Sequence, residues 1–183
     1  MMKALTVYQP WASLTALGEK KIETRGWYTK YRGPLAIHAG KSMQYNDVMF
    51  REPFFTALEP LRYESASGTA FRLSYGEIIA ICNLVDCVSI TPEFVEGLSV
   101  KERVFGDYTL GRFAWMLEDT HRLKGPIPAR GKQRLWNWDE TEYQVCIDPF
   151  IVGDTRIWTP LSVRSGKAVA KPNEDTVMGL EVA

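Results

Sequence analysis

Three charged residues near the N-terminus, Lys20, Glu23 and Arg25, have the types and the spacing to bind or hydrolyse a polar ligand. A carboxylate can accept hydrogen bonds from the edge of a nucleobase, and a lysine or arginine can hold a phosphate group. The same carboxylate could activate water while the lysine stabilises the anion that forms. The competing interpretation is a surface ion pair, which contributes little to stability.

Aromatic residues surround this cluster. The stretch from residue 7 to residue 41 contains two tryptophans, six basic residues and two acidic residues. Flat rings among fixed positive charges are typical of sites that stack a nucleobase and hold its phosphate. Trp27, close to Arg25 and before a polar loop, is a candidate ligand contact. Trp11 is predicted to be a core residue or a pocket wall, and burial is the alternative for both rings.

Five further residues are candidates for contacts with a base or a phosphate: Arg32, His38, Lys41, Arg112 and Lys132. His38 ends a predicted strand in a basic neighbourhood, although a lone histidine is more often a hydrogen-bonded structural residue. Gly131 and Lys132 combine a flexible backbone with one positive charge. We expect no metal and no cofactor, because two histidines and three cysteines without a C-x-x-C pair do not form a zinc pattern.

Short strands and helices are predicted to position these residues. Lys3–Val7 is predicted to be the first strand, followed by a helix that begins at Pro10 and stops at Gly18. Lys20–Thr24 is predicted to be a strand, in which Lys20 and Glu23 would point to opposite faces. Leu35–Ala39 is predicted to be the strand that leads to His38.

The remaining elements are predicted from composition and from turn residues. Residues 42–62 are predicted to form a helix broken near Pro53, and residues 63–76 to form a loop. The β-branched run from 76 to 90 predicts a long, bent or bulged strand. Thr91 and Pro92 are typical of a helix start. Arg112–Leu123 is predicted to be another strand.

The net charge of zero conceals an alternation along the chain. Residues 1–41 carry +5 and residues 100–138 carry +4, whereas residues 42–99 carry −5 and residues 139–183 carry −4. If the fold brings the two basic segments together, a neutral protein would present one basic cleft. The alternative is that charge segregates along solvated surfaces.

The composition is that of a globular domain of ordinary size. The chain has 183 residues, of which 45% are hydrophobic and 24% are charged. No run approaches the roughly 18 apolar residues typical of a membrane span, so no membrane partner is expected. The N-terminus lacks the apolar segment of a secretory signal, and we therefore expect a cytoplasmic protein. The three cysteines are expected to be buried free thiols.

Two sequence blocks resemble the ASCH domain family, a branch of the PUA-like superfamily of small β-barrels. The first block is Gln9-Pro10-Trp11-Ala12, Gly18-x-Lys20-x-Ile22-Glu23-x-Arg25-x-Trp27 and Tyr31-Arg32-Gly33-x-Leu35-x-Ile37-His38-Ala39-x-Lys41. The second is Phe105-Gly106-Asp107-Tyr108, Gly111-Arg112-Phe113-Ala114-Trp115 and Gly131-Lys132-Gln133-x-Leu135-Trp136. The resemblance covers residues 3 to 138 and implies an α+β fold, a small mixed PUA-like β-barrel with short flanking helices.

The resemblance also suggests how the chain is organised. We expect an ASCH domain over residues 1–140 with a variable insertion at about 42–75. Residues 141–183 would then be a C-terminal extension, and the polar composition of its last ~20 residues favours mobility.

The function implied by the resemblance is binding of RNA, or of a modified nucleotide or nucleoside, in a basic cleft. Its lining would include Lys20, Glu23, Arg25, Trp27, His38 and Lys132. One alternative is a hydrolase that acts on nucleic acid or on a nucleoside. A second alternative is a protein-interaction module in the regulation of transcription or translation, with a protein partner contacting the insertion or the acidic tail.

The hydrolase alternative follows from small bacterial ASCH proteins that remove the acetyl group from N4-acetylcytidine. Their catalytic set comprises a lysine, a threonine three residues later and a more distant glutamate. Alignment on Gly18 matches Lys20 to the lysine but places Glu23 where the threonine stands. A shift of one residue instead pairs Lys21 with Thr24 and breaks the family spacing. Three acids could supply the distant carboxylate: Glu96, Glu102 and Asp107.

Overall fold

A computed structural model describes residues 1–139, and the predicted C-terminal extension lies outside the described residues. The strands are β1 (Met2–Val7), β2 (Ile22–Arg25), β3 (Gly33–Ala39), β4 (Arg62–Ser65), β5 (Gly68–Phe71), β6 (Glu77–Ser89), β7 (Phe113–Pro128) and β8 (Leu135–Trp138). The α-helices are α1 (Trp11–Ala16), α2 (Phe54–Ala57), α3 (Pro92–Glu96) and α4 (Val100–Val104). None of the helices in residues 1–139 has the length and apolar character needed to traverse a bilayer.

Six strands form one mixed sheet in the order β2-β7-β6-β3-β1-β8, and β4 and β5 form a separate hairpin. Strands β1 and β3 are parallel, with Thr6 opposite His38, and the other pairs are antiparallel. The long strands β6 and β7 bend through several register shifts, which confirms the predicted bulged strand. The carboxyl ends of β1 and β3 therefore lie side by side.

Alternate residues of the sheet enter two separate hydrophobic clusters. Leu5 and Ile37 belong to the cluster that contains Trp115 and is covered by α1. Ala4 and Ala36 belong to the cluster that contains Trp136 and Trp138. Since neighbours along a strand point to opposite faces, side chains in β1 and β3 are assigned to one cluster or the other by their position in the strand.

Two local predictions are confirmed. α1 follows Pro10 and ends in a turn at Gly18, which adopts a φ of +74°. α3 begins after Thr91, whose side chain accepts a hydrogen bond from the amide of Phe94 at 3.2 Å. Both elements follow from capping and turn chemistry that acts within a few residues.

The segment from 42 to 76 differs from its prediction. Instead of one broken helix it contains α2 and two short 3-10 turns, because Pro53 and Pro60 lack the amide hydrogens that a longer helix needs. The predicted loop contains the β4–β5 hairpin, which turns at Gly68 with a φ of +111°. The exposed residues of β4 lack the apolar alternation that would have indicated a strand.

β7 also extends further than predicted. It continues through Gly125 to Pro128, since Glu77 and Ile78 at the start of β6 pair with Pro128 and Ile127. These pairing partners are about 50 residues away in sequence, so local turn residues did not indicate where the strand ends.

Candidate ligand-binding site

The turn after α1 places Lys20 beside Glu23. The amides of Glu19 and Lys20 both donate to the carbonyl of Leu14, at 2.9 and 3.2 Å, and this delays the start of β2 until Ile22. The predicted strand Lys20–Thr24 is therefore wrong at its beginning. Lys20 does not alternate with Glu23, and its Nζ lies 3.7 Å from the Glu23 carboxylate.

A buried ionic network surrounds the Lys20 ammonium, which is 2% exposed. Its Nζ lies 3.9 Å from the carboxylate of Glu102 and donates a hydrogen bond to the carbonyl of Ile22. Burial lowers the pKa of Lys20, while the carboxylates of Glu23 and Glu102 oppose that shift. Of the three acids suggested by sequence, Glu102 is the one that reaches the lysine. We call this set of groups the Lys20 network.

Tyr108 extends the Lys20 network and was not predicted from sequence. Its hydroxyl donates to Glu102 at 2.9 Å. Burial raises the pKa of the Tyr108 phenol, and the adjacent Glu102 carboxylate adds to the shift. The phenol therefore stays protonated and remains a donor. Tyr108 lies in the second family block, which is the only sequence signal that pointed to it.

Arg25 connects the Lys20 network with β1. Its terminal nitrogen lies 3.0 Å from the Glu23 carboxylate and donates to the backbone carbonyl of Thr6 at 2.8 Å. The Nε of Arg25 is buried and has no hydrogen-bond partner among the described residues. The Arg25 side chain is 25% exposed, against 10% for Glu23 and 2% for Lys20. A ligand approaching from solvent would meet Arg25 first.

Thr6 also anchors the loop before β8. Its hydroxyl donates to the carbonyl of Lys132 at 2.9 Å and accepts from the indole nitrogen of Trp136 at 3.3 Å. The backbone of Lys132 is thus held close to Thr6, while its side chain is exposed.

His38 lies on the other face of the sheet from Glu23. Glu23 pairs with Trp115 and shares the face of that ring, whereas the imidazole of His38 contacts Trp136 at 5.7 Å. Its Nε2 donates to the carbonyl of Ala129 at 3.1 Å. The structure therefore does not bring His38 into one cleft with Glu23. The reason is strand alternation, since His38 shares its face with Ala36.

Gly131 packs directly against His38. A Cβ on Gly131 would lie 2.4 Å from Cε1 and 2.7 Å from Nδ1 of the imidazole, so the position requires glycine. The Nδ1 of His38 is buried and has no partner among residues 1–139. Burial lowers the pKa of His38, and the hydrogen bond to Ala129 opposes the shift. Sequence analysis assigned Gly131 a flexible backbone beside the charge of Lys132, whereas its geometry favours tight packing of the loop against His38.

Aromatic rings lie next to the carboxyl ends of β1 and β3. Tyr45 makes edge contacts with Tyr8 at 5.6 Å and with Trp11 at 5.3 Å. Tyr8 and Tyr45 are 48% and 40% exposed, and Trp11 is half-buried. Gly40, the residue before Lys41, packs against Tyr8 and Thr6. Sequence analysis identified Trp11 and Lys41 but missed both tyrosines, since an isolated tyrosine carries no distinguishing pattern.

The side chain of Trp27 is partly buried and packs against the core. Its ring meets the fully buried Trp115 edge-on at 4.6 Å, and its carbonyl accepts from the Trp115 indole at 3.4 Å. The guanidinium of Arg134 lies 5.9 Å from the Trp27 ring. One part of Trp27 therefore packs against the core, and the remainder contacts a cation.

The two basic segments of the chain are adjacent in space, because β2 pairs with β7 and β1 pairs with β8. Arg112 donates to the carbonyl of Thr24 at 3.3 Å and forms an ion pair with Asp107 at 3.2 Å. Arg32 instead pairs with Asp86 at 2.7 Å and has no hydrogen bond or ion pair to another predicted site residue within residues 1–139. Several of the cations are thus already neutralised by carboxylates.

The alternative pair Lys21 and Thr24 is not assembled for catalysis. Lys21 is exposed, whereas Thr24 is 8% exposed and its hydroxyl accepts a hydrogen bond from the amide of Asp107 at 3.3 Å. Thr24 also lies on the opposite face of β2 from Glu23, because it pairs with Ala114 rather than Trp115.

The protein has an α+β fold, with a curved mixed sheet and short flanking helices. Its candidate site contains a buried lysine–glutamate–arginine network. Residues 5–142 match the model of the ASCH domain, so the chain belongs to the ASCH domain family. The predicted family and the predicted α+β fold with short flanking helices are confirmed.

Individual relatives share limited identity with the chain. It is 28% identical over 146 residues to mouse Activating signal cointegrator 1, and 28% identical over 152 residues to the human protein. Each match covers 76% of this chain and 23% of the relative, so the chain spans about a quarter of the length of these proteins. The crystal structure of ASCH from Zymomonas mobilis matches at 14% identity with a TM-score of 0.45, covering 76% of this chain and 89% of that one.

Proposed function

We propose that this ASCH domain binds single-stranded RNA, or a modified nucleotide or nucleoside, at the surface around Arg25 and Thr6. The observation that carries the proposal is the set of contacts that Arg25 makes and the exposure of its side chain. Its guanidinium is oriented by Glu23 and Thr6, and the side chain is 25% exposed. An oriented and partly exposed arginine side chain suits a phosphate group or the edge of a base.

The exposed rings next to this surface support the same ligand class. Tyr8 and Tyr45 lie at the carboxyl ends of the parallel strands, and Lys41 follows β3 directly. Stacking of a base on an aromatic ring contributes about 1–3 kcal/mol and requires no particular base identity. Flat rings beside a lysine and an oriented arginine thus supply both stacking and phosphate contacts.

The charge of the chain predicts a modest dependence on salt. The net charge is zero, and Lys20, Arg25 and Arg112 are already paired with acids. Few counterions would be released on binding, so affinity should fall only slightly as salt rises. This distinguishes a localised site from general attraction between a basic surface and a polyanion.

A binding measurement tests the proposal. The full chain is titrated with fluorescent single-stranded RNAs and with a nucleoside panel that includes N4-acetylcytidine, at low and moderate salt. Arg25→Gln should weaken binding by about tenfold or more, because it removes a charge-assisted contact. Arg51→Gln is the matched control, because it removes a surface arginine paired only with Asp47. Absence of binding at either salt concentration, or equal affinities of both variants, would reject the proposal.

A hydrolase is the second candidate, and the Lys20 network favours it. The lowered pKa of the buried Lys20 and its proximity to Glu23 and Glu102 are typical of groups that handle protons. In this reaction Glu23 would take a proton from water, whose oxygen attacks the amide carbon of N4-acetylcytidine, and would return that proton to the N4 nitrogen as the C–N bond breaks, releasing cytidine and acetate. Lys20 would stabilise the oxyanion that forms.

Product analysis separates catalysis from binding. The protein is incubated with N4-acetylcytidine and, separately, with RNA, and the products are identified. Turnover that disappears in Glu23→Gln, measured on the folded fraction, would support the hydrolase. Binding without turnover would leave the binding proposal standing and exclude catalysis on these substrates. A protein partner for the 42–75 segment stays a prediction.

A further inference from the structure

A second polar pocket lies away from Arg25, between α1 and the strands β6 and β7. It has a cavity volume of about 30 Å³. Its walls are formed by residues from α1, the end of the β4–β5 segment, β6 and β7: Ser13, Ala16, Leu17, Leu61, Arg72, Ser74, Ile79, Arg122, Leu123 and Pro126. None of these ten lining residues is acidic, and two of them are arginines.

Neither arginine is neutralised within the described part of the chain. Arg72 and Arg122 have no ion pair and no side-chain hydrogen bond among residues 1–139, unlike Arg25, Arg32 and Arg112. The guanidinium of Arg72 lies over the ring of Tyr63 at 5.2 Å. Both residues line the pocket without a carboxylate partner, so an anion bound there would supply the missing negative charge.

The backbone around both arginines is held in place. The amide of Arg72 donates to the carbonyl of Leu61 at 2.8 Å, and Arg122 lies in β7 opposite Ala80. The two charges therefore come from anchored segments rather than from a free loop. An anion would therefore meet two arginines whose backbones are held by hydrogen bonds or strand pairing, which lowers the entropy lost on binding.

Gln9 fixes two walls of the pocket to each other. Its side chain is 0% exposed, donates to the carbonyl of Ser74 at 2.8 Å and accepts from the amide of Ser13 at 3.1 Å. The buried side-chain amide of Gln9 is thus hydrogen-bonded both to α1 and to the segment before β6. Both serines line the pocket and bring hydroxyl groups that can donate to an oxyanion.

We propose that this pocket binds the terminal phosphate of a phosphate monoester. Two arginine forks and two hydroxyl groups match the oxygens of a tetrahedral dianion in number and in charge. The cavity volume of about 30 Å³ is well below the roughly 300–1,000 Å³ typical of small-molecule pockets, so it could take one phosphate group at most and not a whole nucleotide. The rest of the ligand would lie outside the pocket.

Titration with inorganic phosphate tests the proposal directly. The full chain, labelled with ¹⁵N, is titrated at constant ionic strength, and amide shifts are recorded. Saturable shifts are expected at Ser13, Ser74, Arg72 and Arg122. Arg72→Gln/Arg122→Gln should weaken phosphate binding by at least about tenfold, since it removes both charge-assisted contacts.

The matched control is Arg51→Gln/Arg62→Gln, which removes the same charge from two arginines paired with Asp47 and Glu59. It should leave phosphate affinity unchanged. Shifts that do not saturate, or equal losses in both double variants, would overturn the pocket assignment. Arg72→Lys and Arg122→Lys keep the charge and should still weaken binding, which covers the case in which the glutamine variant fails to fold.

Two sources of the monoester are separated by further probes, namely uridine 5′-monophosphate and oligouridylate with either a 5′-phosphate or a 5′-hydroxyl. Tighter binding of the phosphorylated oligonucleotide than of the mononucleotide, lost in Arg72→Gln/Arg122→Gln, assigns the pocket to an RNA end. Equal binding of mononucleotide and phosphorylated oligonucleotide assigns it to a small phosphorylated molecule. Binding that is indifferent to the terminal phosphate would contradict the proposal.

Discussion

The guanidinium of Arg25 reaches the backbone carbonyl of Thr6 with a hydrogen bond of 2.8 Å, although β7, β6 and β3 separate their strands in the sheet. The sheet must curve for the edge strand β2 to approach β1. This hydrogen bond links the Lys20 network to the carboxyl end of β1, which lies beside the carboxyl end of the parallel strand β3. The surface around Arg25 and Thr6 therefore depends on sheet curvature.

Removing the charge of Glu23 should destabilise the fold. Glu23→Gln leaves the buried Lys20 with one carboxylate, Glu102, and deprives Arg25 of its partner. We expect a loss of about 3 kcal/mol in the free energy of unfolding, because an incompletely paired buried charge is costly. Urea unfolding followed by tryptophan fluorescence measures it.

The control for that experiment is Glu19→Gln. Glu19 pairs with Lys101, and both side chains are substantially exposed, at 33% and 50%. We expect a loss below about 1 kcal/mol, as for surface ion pairs in general. Equal losses for Glu19 and Glu23 would show that the Lys20 network is not a buried ionic cluster.

Gly131→Ala should disrupt the packing between the loop before β8 and β3. The new methyl group would lie 2.4 Å from Cε1 of His38, and we expect a loss of about 1–3 kcal/mol from overpacking. Thermal unfolding measures the change. Gly125→Ala is the control, since no atom lies within 4 Å of the position of its Cβ. A neutral Gly131→Ala would mean that the loop is free to move away from His38.

Stability should fall in mild acid because of His38. Burial lowers its pKa in the folded state, so below about 6.5 the unfolded chain binds more protons. The stabilisation is complete above the unfolded-state pKa and is lost as the pH falls through the folded-state pKa. Between these two pKa values the free energy of unfolding should fall by about 1.4 kcal/mol for each unit that the pH decreases.

Urea unfolding curves recorded at several pH values between 7.5 and 5 measure this slope. His38→Gln should flatten it, whereas His121→Gln should retain it, since His38 is intact in that variant. An unchanged slope in His38→Gln would assign the acid sensitivity to other groups.

Loss of the exposed rings should weaken RNA binding more than it weakens the fold. Tyr8→Ala and Tyr45→Ala are each expected to reduce the binding free energy by about 1–3 kcal/mol, the range for one stacked base. Fluorescence anisotropy with single-stranded RNA measures the affinity. Phe50→Ala is the control, because Phe50 is 53% exposed but contacts Phe71 instead of Tyr45. If all three variants bind alike, the tyrosines do not contact RNA.

Local chemistry made part of the fold predictable from sequence. The stop at Gly18, the cap at Thr91 and the long β-branched strand β6 each depend on residues close in sequence, and all three are confirmed. The β4–β5 hairpin was missed because its strand residues are exposed and show no apolar alternation. The end of β7 was missed because a distant strand determines it.

The sequence by itself determined the family and the α+β class, and it predicted the residue types of a candidate site that includes Lys20, Glu23 and Arg25. Only the tertiary structure decided that Glu102 and Tyr108 surround the lysine and that His38 lies on the other face of the sheet. Strand alternation and capping act over a few residues, so sequence reveals them. Contacts between residues some 80 positions apart depend on strand pairing and sheet curvature, which the whole core stabilises together.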